Sequence, residues 1–453
     1  MFLDLSGRRS EAEDLVYRGL SALGDHSSVW VASAIGAASL GRVRGRRTAA
    51  EVLAALGLSS FTANVVVKLG FRRRRPVSAF PVLVRRPRSR SFPSGHAATS
   101  FAAATVLAAR YPAAAPAAYI VAGGIALSRI YVGVHYPLDV VAGAAVGTAI
   151  GAGVLVAQRP FREPSLSTAE LESLGRGLGA ALVVNPQSGR EVGDVPAPVL
   201  VRELEDGEKL EEVLRDLTAG GAEVVGVAGG DGSVSAAARV AIETGTILWV
   251  VPGGTLNHFA KAVGAGDVAT ALRALETGTV ARVDVGQVDD ITFLNAASLG
   301  AYPDIVRRRE MYERRLSLGK WPALALAVVV TIRDPAPIDV EVDGRRERAL
   351  LVFVGNNPYH GTISPRGRDS LQTGLLDLRV VRWPDRWPRL AILAALLTGR
   401  LERDGLMVRR TAREVALRVD HPVALGHDGE VTEVEGRLVF KSCPGALQVL
   451  LAR

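Results

Sequence analysis

His135 and Asp139 stand four residues apart in SRIYVGVHYPLD, one helical turn if the chain is helical there. A carboxylate bonded to one imidazole nitrogen fixes the tautomer and leaves the other nitrogen basic, which is how a nucleophilic histidine is prepared. A second histidine, His96, follows Pro93-Ser94-Gly95 at the head of an apolar run. Ser94 and the Gly95 amide can donate hydrogen bonds to an anion at a helix N-terminus. A histidine there can protonate a leaving alcohol. Lys68, Arg75 and Arg129 supply cations for the equatorial oxygens of a phosphoryl group, and phosphoryl transfer depends mostly on such positioning and charge. Taken singly, PSGH reads as a helix cap and His-x-x-x-Asp as a surface pair. Their co-occurrence turns the reading toward a phosphate pocket.

A second set of residues lies further on. GVAGGDGSVSAAAR, 226–239, reads as a strand, then Gly229-Gly230-Asp231-Gly232-Ser233, then a helix. Glycines let the backbone approach phosphates, and a helix N-terminus favours anions. Gly253-Gly254-Thr255-Leu256-Asn257 again follows a strand, and NPQSG (Asn185 to Gly189) forms a third strand-end turn. Three such turns converging describe an open α/β ligand crevice. The charged turn Asp428-Gly429-Glu430 reads by itself as a solvated β-turn.

The elements that must carry these residues differ between the two parts of the chain. The 453 residues are 48% hydrophobic, which excludes disorder as the main state. Residues 1–160 hold 19 Lys+Arg against 7 Asp+Glu, and the remainder holds 35 against 39, so the net charge of +8 belongs to the N-terminal third. The single cysteine, Cys443, excludes an internal disulfide framework and a cysteine zinc site. At the head of the chain, MFLDLSGRRSEAEDL carries acids early and lacks the apolar run of a secretory signal. Residues 8–24 read as an amphipathic surface helix. Uncharged, Ala/Gly-rich stretches follow at 27–41, 52–67, 97–109, 111–128 and 140–157, short for single spans but suited to close packing in a membrane bundle. The expected architecture is multidomain. It comprises an all-α, membrane-type helix bundle over 1–158, a linker over 159–178, an α/β nucleotide-binding lobe over 179–283, and a mostly antiparallel β-sandwich lobe over 284–453 with a helical insert near 320–332.

The first set resembles the type 2 phosphatidic acid phosphatase superfamily. Lys68, six residues, Arg75-Pro76; then Pro93-Ser94-Gly95-His96; then Ser128-Arg129, five residues, His135, three residues, Asp139: all three parts of its signature stand in order. The resemblance covers residues 8–157 and implies metal-independent dephosphorylation without a cofactor. In that reading His135 attacks phosphorus, Asp139 orients it, and His96 is general acid and then base. Lys68, Arg75, Ser94, Gly95 and Arg129 hold the phosphate. Relatives use the same pocket for vanadate peroxidase chemistry or in soluble acid phosphatases; the apolar helices favour a lipid phosphate.

The second set is similar to the diacylglycerol kinase catalytic family, related to sphingosine and NAD kinases, from about 179 to the end. Asn295–Gly300, Gly355–Gly361, Gly374–Leu378 and His427–Glu430 add to the likeness. The resemblance implies ATP and Mg2+. Asn185, Gly229, Gly230, Asp231, Gly232, Ser233, Gly254 and Thr255 would bind ATP, Asp231 would organise magnesium, and Glu430 would be the base on a lipid hydroxyl. Two departures stand out. Asn257-His258 replaces the Asn-Asp of many relatives, and Gln372 and Thr373 precede Gly374 where bacterial members often place a magnesium-binding acid.

Together these imply a bifunctional cell-membrane enzyme acting on lipid substrates, with a homodimer left open. Alternatives are a lipid phosphatase with a regulatory nucleotide module, or an NAD-kinase-like C-terminal domain. ATP requires a cytoplasmic kinase, and threading the five stretches back through a multi-pass bundle puts the phosphatase site on the extracytoplasmic face. The loop Arg42–Arg47 then lies inside, as the positive-inside rule asks. Nine cations and no acids between Lys68 and Arg90 exceed one pocket's needs, so Arg72, Arg73 and Arg74 read as a headgroup-facing surface. Nucleic-acid binding is excluded, because stacking aromatics are sparse around those arginines.

Overall fold

The computed structural model describes the chain except residues 1–9, 41, 69–72, 77–82, 85–88, 158–163, 165, 168, 171–178, 187–191, 194, 196–197, 255–256, 278, 318, 362–366, 386–387, 389–391, 393–400 and 452–453. Two compact units divide it, residues 1–160 and 161–453.

The first unit is helical. Its helices are α1 (Glu11–Gly24), α2 (Ser28–Leu40), α3 (Arg42–Phe61, continued by a π-turn over Thr62–Val67), α4 (Gly95–Arg110), α5 (Ala115–Tyr131) and α6 (Pro137–Ala157). Ser10 and Glu13 form a capping box that starts α1, whose exposed Leu15 and Val16 fit the surface-helix reading. The centre is α4, packed against α3, α5 and α6. Fully buried Ala97, Ala98, Ala102, Ala103 and Ala104 give it the slim profile that position needs. Pro112–Tyr131 and Pro137–Leu155 are long and apolar enough to cross a membrane; Ser28–Ser39 is apolar but shorter.

The alternation of α3 to α6 gathers one end of the bundle around the N-termini of α4 and α6 and the C-termini of α3 and α5. The opposite end is pinned by charge. Glu51, wholly buried on α3, accepts Arg110 of α4 at 2.6 and 2.7 Å and Arg47 at 3.2 Å, and Arg44 donates to the Arg110 carbonyl at 2.7 Å.

The second unit opens with β1 (Ala169–Glu170), β2 (Ala180–Val184), β3 (Val199–Glu203), α7 (Leu210–Ala219), β4 (Val224–Gly229), α8 (Asp231–Thr244), β5 (Ile247–Pro252), α9 (His258–Ala262) and α10 (Val268–Thr277). It continues through β6 (Thr279–Val288), β7 (Ile291–Phe293), β8 (Ala296–Gly300), α11 (Ala301–Leu316), α12 (Lys320–Arg333), β9 (Ile338–Val342) and β10 (Arg345–Asn356). β11 (Leu376–Arg382), β12 (Met407–Ala412), β13 (Glu414–His427) and β14 (Glu430–Leu450) complete it. Strands β5, β4, β2 and β3 lie side by side and parallel, as buried Val/Ala runs between helices lead one to expect. Pairings among β6 to β14 are antiparallel.

Three features differ from the sequence reading. Part of the stretch read as linker belongs to the second unit, since β1 pairs with Thr279–Val280 and Ser167 exchanges hydrogen bonds with Gln372. The lobe boundary drawn at 283/284 falls inside β6. The two lobes also share β14, which pairs with β13 over its first half and returns beside β6 and β5, burying Leu447 and Val449 in the first core. The helical insert is a pair, α11 as well as the expected α12.

Candidate active sites

At one end of the bundle the signature residues converge. His135 lies in the turn between α5 and α6, almost wholly buried, and Asp139 in the first turn of α6 has no exposure. The His135 Nδ1 faces Asp139 Oδ2 at 3.6 Å, although His135 stands ahead of α6 and not on a helix, so the bend before α6 and not a shared helical face brings the pair together. On the other side of the ring, Nε2 meets Arg75 Nη1 at 3.2 Å. Burial holds the His135 pKa below the ordinary histidine range and Arg75 and Arg129 add to this, against the pull of Asp139, so the imidazole is neutral at neutral pH. Arg75 is fixed by the Val134 carbonyl at 2.9 Å and the Ser89 carbonyl at 2.8 Å.

Ser94 caps α4, its Oγ accepting the Ala97 amide at 3.4 Å, and its own amide donates to the Asp139 carbonyl at 2.8 Å. That bond ties the head of α4 to the head of α6. Gly95 leaves room for Asn64: a Cβ there would lie 2.7 Å from Asn64 Oδ1 and displace that side chain, whose oxygen accepts Lys68 Nζ at 2.8 Å. Burial and the neighbouring Arg75 lower the Lys68 pKa to about 8. His96, just ahead of the apolar stretch, bonds Asp25 Oδ1 at 3.0 Å. Burial, then the charge of Arg129, lower its pKa to about 4, Asp25 opposing. Arg129 is buried and donates to Ser21 Oγ.

Sequence reasoning missed one residue here. Arg73, assigned to a headgroup-facing surface, donates instead to Asp139 Oδ1 at 3.0 Å and covers the Tyr136 ring at 4.1 Å. Arg90 is also engaged, donating to the Lys68 carbonyl at 2.8 Å. Arg72 lies outside the described residues. One arginine in a run of four carries no signal of its own, so nothing in the sequence marked Arg73.

In the second unit the three turns meet at adjacent parallel strand ends. Asn185 Nδ2 donates to Ser233 Oγ at 3.2 Å, and the Gly253 amide donates to the Gly229 carbonyl at 2.8 Å. A Cβ on Gly254 would stand 2.6 Å from Gly230 Cα, so the two glycine turns pack backbone to backbone. Gly230 is the N-cap of α8 and offers no side-chain cap, which leaves the amides of Asp231, Gly232 and Ser233 for an anion. Asp231 Oδ1 accepts the His258 amide at 2.8 Å, which starts α9 where the sequence departs from Asn-Asp. Thr255 lies outside the described residues.

Glu430 is exposed at the first position of β14, while Asp428, two residues earlier, is buried. The turn is the tight hairpin that Asp-Gly favours, with Asp428 and Gly429 at φ 43° and 97°. It is not a solvated one, because the Asp428 carboxylate accepts the amides of Leu294 at 2.6 Å, Asn295 at 2.9 Å and Ala296 at 3.4 Å, and Ser235 Oγ at 3.2 Å. Burial pushes its pKa up and the charge of Asp231 adds to this, against the three amides. Near Gly374, the backbone amide is taken by Asp284 Oδ2 at 2.7 Å, and Gln372 Nε2 bonds the Arg282 carbonyl at 2.7 Å.

Among the described residues no group of three Asp, Glu, His or Cys could hold a metal ion. Magnesium commonly binds through one or two carboxylates plus substrate phosphates. The charge of Asp231 beside the glycine cradle and Asp428 suits that mode, so the donor set fits a nucleotide-bound cation.

Each unit thus gathers one set of candidate residues, a cluster of histidines and cations in the helical unit and a crevice of glycine turns in the other. Comparison with known proteins agrees. The model of the PAP2 superfamily matches residues 48–163, that of the diacylglycerol kinase catalytic domain 179–288, and that of the YegS C-terminal NAD kinase beta sandwich-like domain 298–451. A decaprenylphosphoryl-5-phosphoribose phosphatase of Mycobacterium tuberculosis is 41% identical over 139 residues, 30% of this chain and 75% of the relative. A protein of Pseudomonas aeruginosa named "probable lipid kinase YegS-like" is 30% identical over 287 residues, 60% of this chain and 88% of the relative. Among solved structures, Aquifex aeolicus LpxE is 28% identical with a TM-score of 0.29, over 33% of this chain and 88% of that one. The chain belongs to the PAP2 superfamily through its N-terminal third and to the diacylglycerol kinase family through the rest, an enzyme of phosphatase and lipid-kinase type.

Proposed function

We propose that one polypeptide carries two lipid-directed activities, a metal-independent phosphatase and an ATP-dependent lipid kinase, in a multi-pass membrane protein. The observation that carries the phosphatase half is the imidazole of His135, buried and neutral between Asp139 and Arg75, with Arg129 and His96 around it. His135 Nε2 attacks phosphorus, a P–N bond forms, and the P–O bond to the leaving alcohol breaks. His96 donates the proton that the alkoxide takes. The low His96 pKa means that it acquires this proton only when an incoming phosphate places negative charge beside it, since an anion favours imidazolium. Water then attacks the phosphohistidine, its proton passing to His96. Lys68, Arg75 and Arg129 hold the equatorial oxygens throughout, with the hydroxyl of Ser94 and the amide of Gly95.

For the kinase half, the glycine turns of Gly229–Ser233 and Gly253–Gly254 bind ATP phosphates, and Asn185 and Thr255 take part in that binding. Asp231 holds magnesium, which when bound neutralises phosphate charge. Glu430 takes the proton of a lipid hydroxyl, diacylglycerol-like in class. The likeness to the mycobacterial relative favours a phosphomonoester carried on a polyprenyl lipid as the phosphatase substrate. The description of the C-terminal family supports NAD as the second kinase substrate to test.

A panel of lipid phosphates, lipid alcohols and NAD, run with wild type, His135→Ala and Glu430→Ala, tests the reading. Phosphate release disappears only in the first variant and ATP-dependent phosphorylation only in the second. Loss of both activities in either variant defeats the assignment of two independent sites.

A further inference from the structure

We infer that Arg73 is a positioning residue for the His135–Asp139 pair, setting the pH at which the phosphatase nucleophile becomes available. This rests on the reading of His135 as nucleophile. Asp139 is wholly buried and its two oxygens are divided. Oδ1 accepts Arg73 Nη1 at 3.0 Å; Oδ2 accepts the Tyr136 amide at 3.0 Å and faces His135 Nδ1 at 3.6 Å. A carboxylate held at both oxygens cannot rotate away from the imidazole. Arg73 is itself held, its guanidinium over the Tyr136 ring at 4.1 Å and its carbonyl accepting the Ser91 amide at 3.2 Å.

The charged and titratable groups facing His135 are Arg75, Arg129, His96 and Asp139; those facing Asp139 are Arg73 and His135. Among these cations Arg73 has a different place. Arg75 meets the Nε2 side, where phosphorus arrives, whereas Arg73 meets the carboxylate behind Nδ1. A carboxylate shared with a guanidinium pulls less strongly on an imidazolium, so Arg73 keeps His135 neutral to lower pH. Its removal unshields Asp139, favours protonated His135 and moves the acid limb of kcat/KM upward. The Arg73 side chain is 39% exposed, so water screens part of the effect.

The test uses the full-length chain in detergent micelles with dioctanoyl phosphatidate and the mycobacterial-type polyprenyl phosphosugar as probes. For Arg73→Ala, the acid limb rises by about half to one pH unit, a three- to tenfold loss below the limb. Added ethylguanidinium restores the limb, and Arg73→Lys keeps it close to wild type. An unmoved limb with only a raised KM makes Arg73 a headgroup cation and overturns the inference. Equal loss at every pH in both variants, without rescue, makes it a folding residue and overturns it too. His135→Ala separates the two levels: activity surviving there defeats the nucleophile assignment, whereas a dead His135→Ala with an unmoved Arg73→Ala limb defeats this inference alone.

Discussion

Asp428 sits in a buried turn with its carboxyl accepting three consecutive backbone amides, those of Leu294, Asn295 and Ala296. Replacing it with Ala leaves those donors buried and unpaired, at a cost of about 3 kcal/mol. The expected result for Asp428→Ala is faster thermal inactivation of the ATP-dependent activity with lipid phosphate hydrolysis unchanged. Asp428→Asn supplies the sign of the charge term. A carboxyl whose folded pKa is raised stabilises least once it is ionised, so wild type loses stability relative to Asn as pH climbs from the ordinary carboxylate range through the raised value. Thermal inactivation compared at pH 5 and pH 8 reads this difference, and a constant gap between the two proteins contradicts it. At this scale the sequence was legible where chemistry dictates residue type. His135, Asp139 and Arg75 announce themselves because an imidazole, a carboxylate and a guanidinium at those spacings have few other uses. Asp428 and Arg73 were illegible because their roles depend on which backbone amides and which carboxylate the fold brings to them.

Glycine spacing on α6 governs how closely the helices approach. A Cβ on Gly143 would lie 2.4 Å from the Ser94 carbonyl oxygen, one on Gly147 2.1 Å from that of Ala98, and one on Gly151 2.6 Å from that of Ala102. The three positions recur every fourth residue, so α6 lies with bare backbone on α4, a packing that small residues permit in apolar surroundings. This contact places the Ser94 amide on the Asp139 carbonyl and thereby sets His96 and His135 in one pocket. Gly147→Leu must push the helices apart. The expected outcome is a loss of lipid phosphate hydrolysis of at least tenfold with ATP-dependent phosphorylation retained, both measured on the same preparation. Retained hydrolysis contradicts the helix contact. The existence of the helices after α1 was readable from uncharged Ala/Gly stretches, but α3 starts at Arg42, well before the stretch at 52–67, because its first turns carry charge. The seam was not, because in a segment where every other residue is small, nothing marks which glycines touch a neighbour. The pairing of β1 was hidden for a related reason: two residues in a polar stretch form a strand only because Thr279 and Val280 offer an edge.

Across the whole first unit, charge is sorted to two ends. Arg44, Glu51 and Arg110 interlock at one, and Lys68, Arg73 and Arg75 gather with Asp139 and His135 at the other. In the proposed multi-pass arrangement these ends face different compartments. Arg42, Arg44, Arg46 and Arg47, read from the sequence as a loop, form the first turns of α3, and their composition suits a cytoplasmic end. The cations at the pocket end are held by Asp139, Asn64 and backbone carbonyls and answer to substrate, so they need not obey the same rule. The chain leaves α6 at the end opposite Asp139, so the proposed multi-pass arrangement has the ATP-using part in the cytoplasm and the His135 end outside. Single cysteines in a Cys443→Ser background report this directly. Val43, 81% exposed in the first turn of α3, and Arg74, exposed near the His135 end, are suitable positions. With a membrane-impermeant maleimide on intact cells, Arg74→Cys labels and Val43→Cys does not until the membrane is opened. The reverse pattern inverts the bundle and moves the pocket to the cytoplasm. Labelling of both in intact cells removes the membrane-spanning arrangement itself.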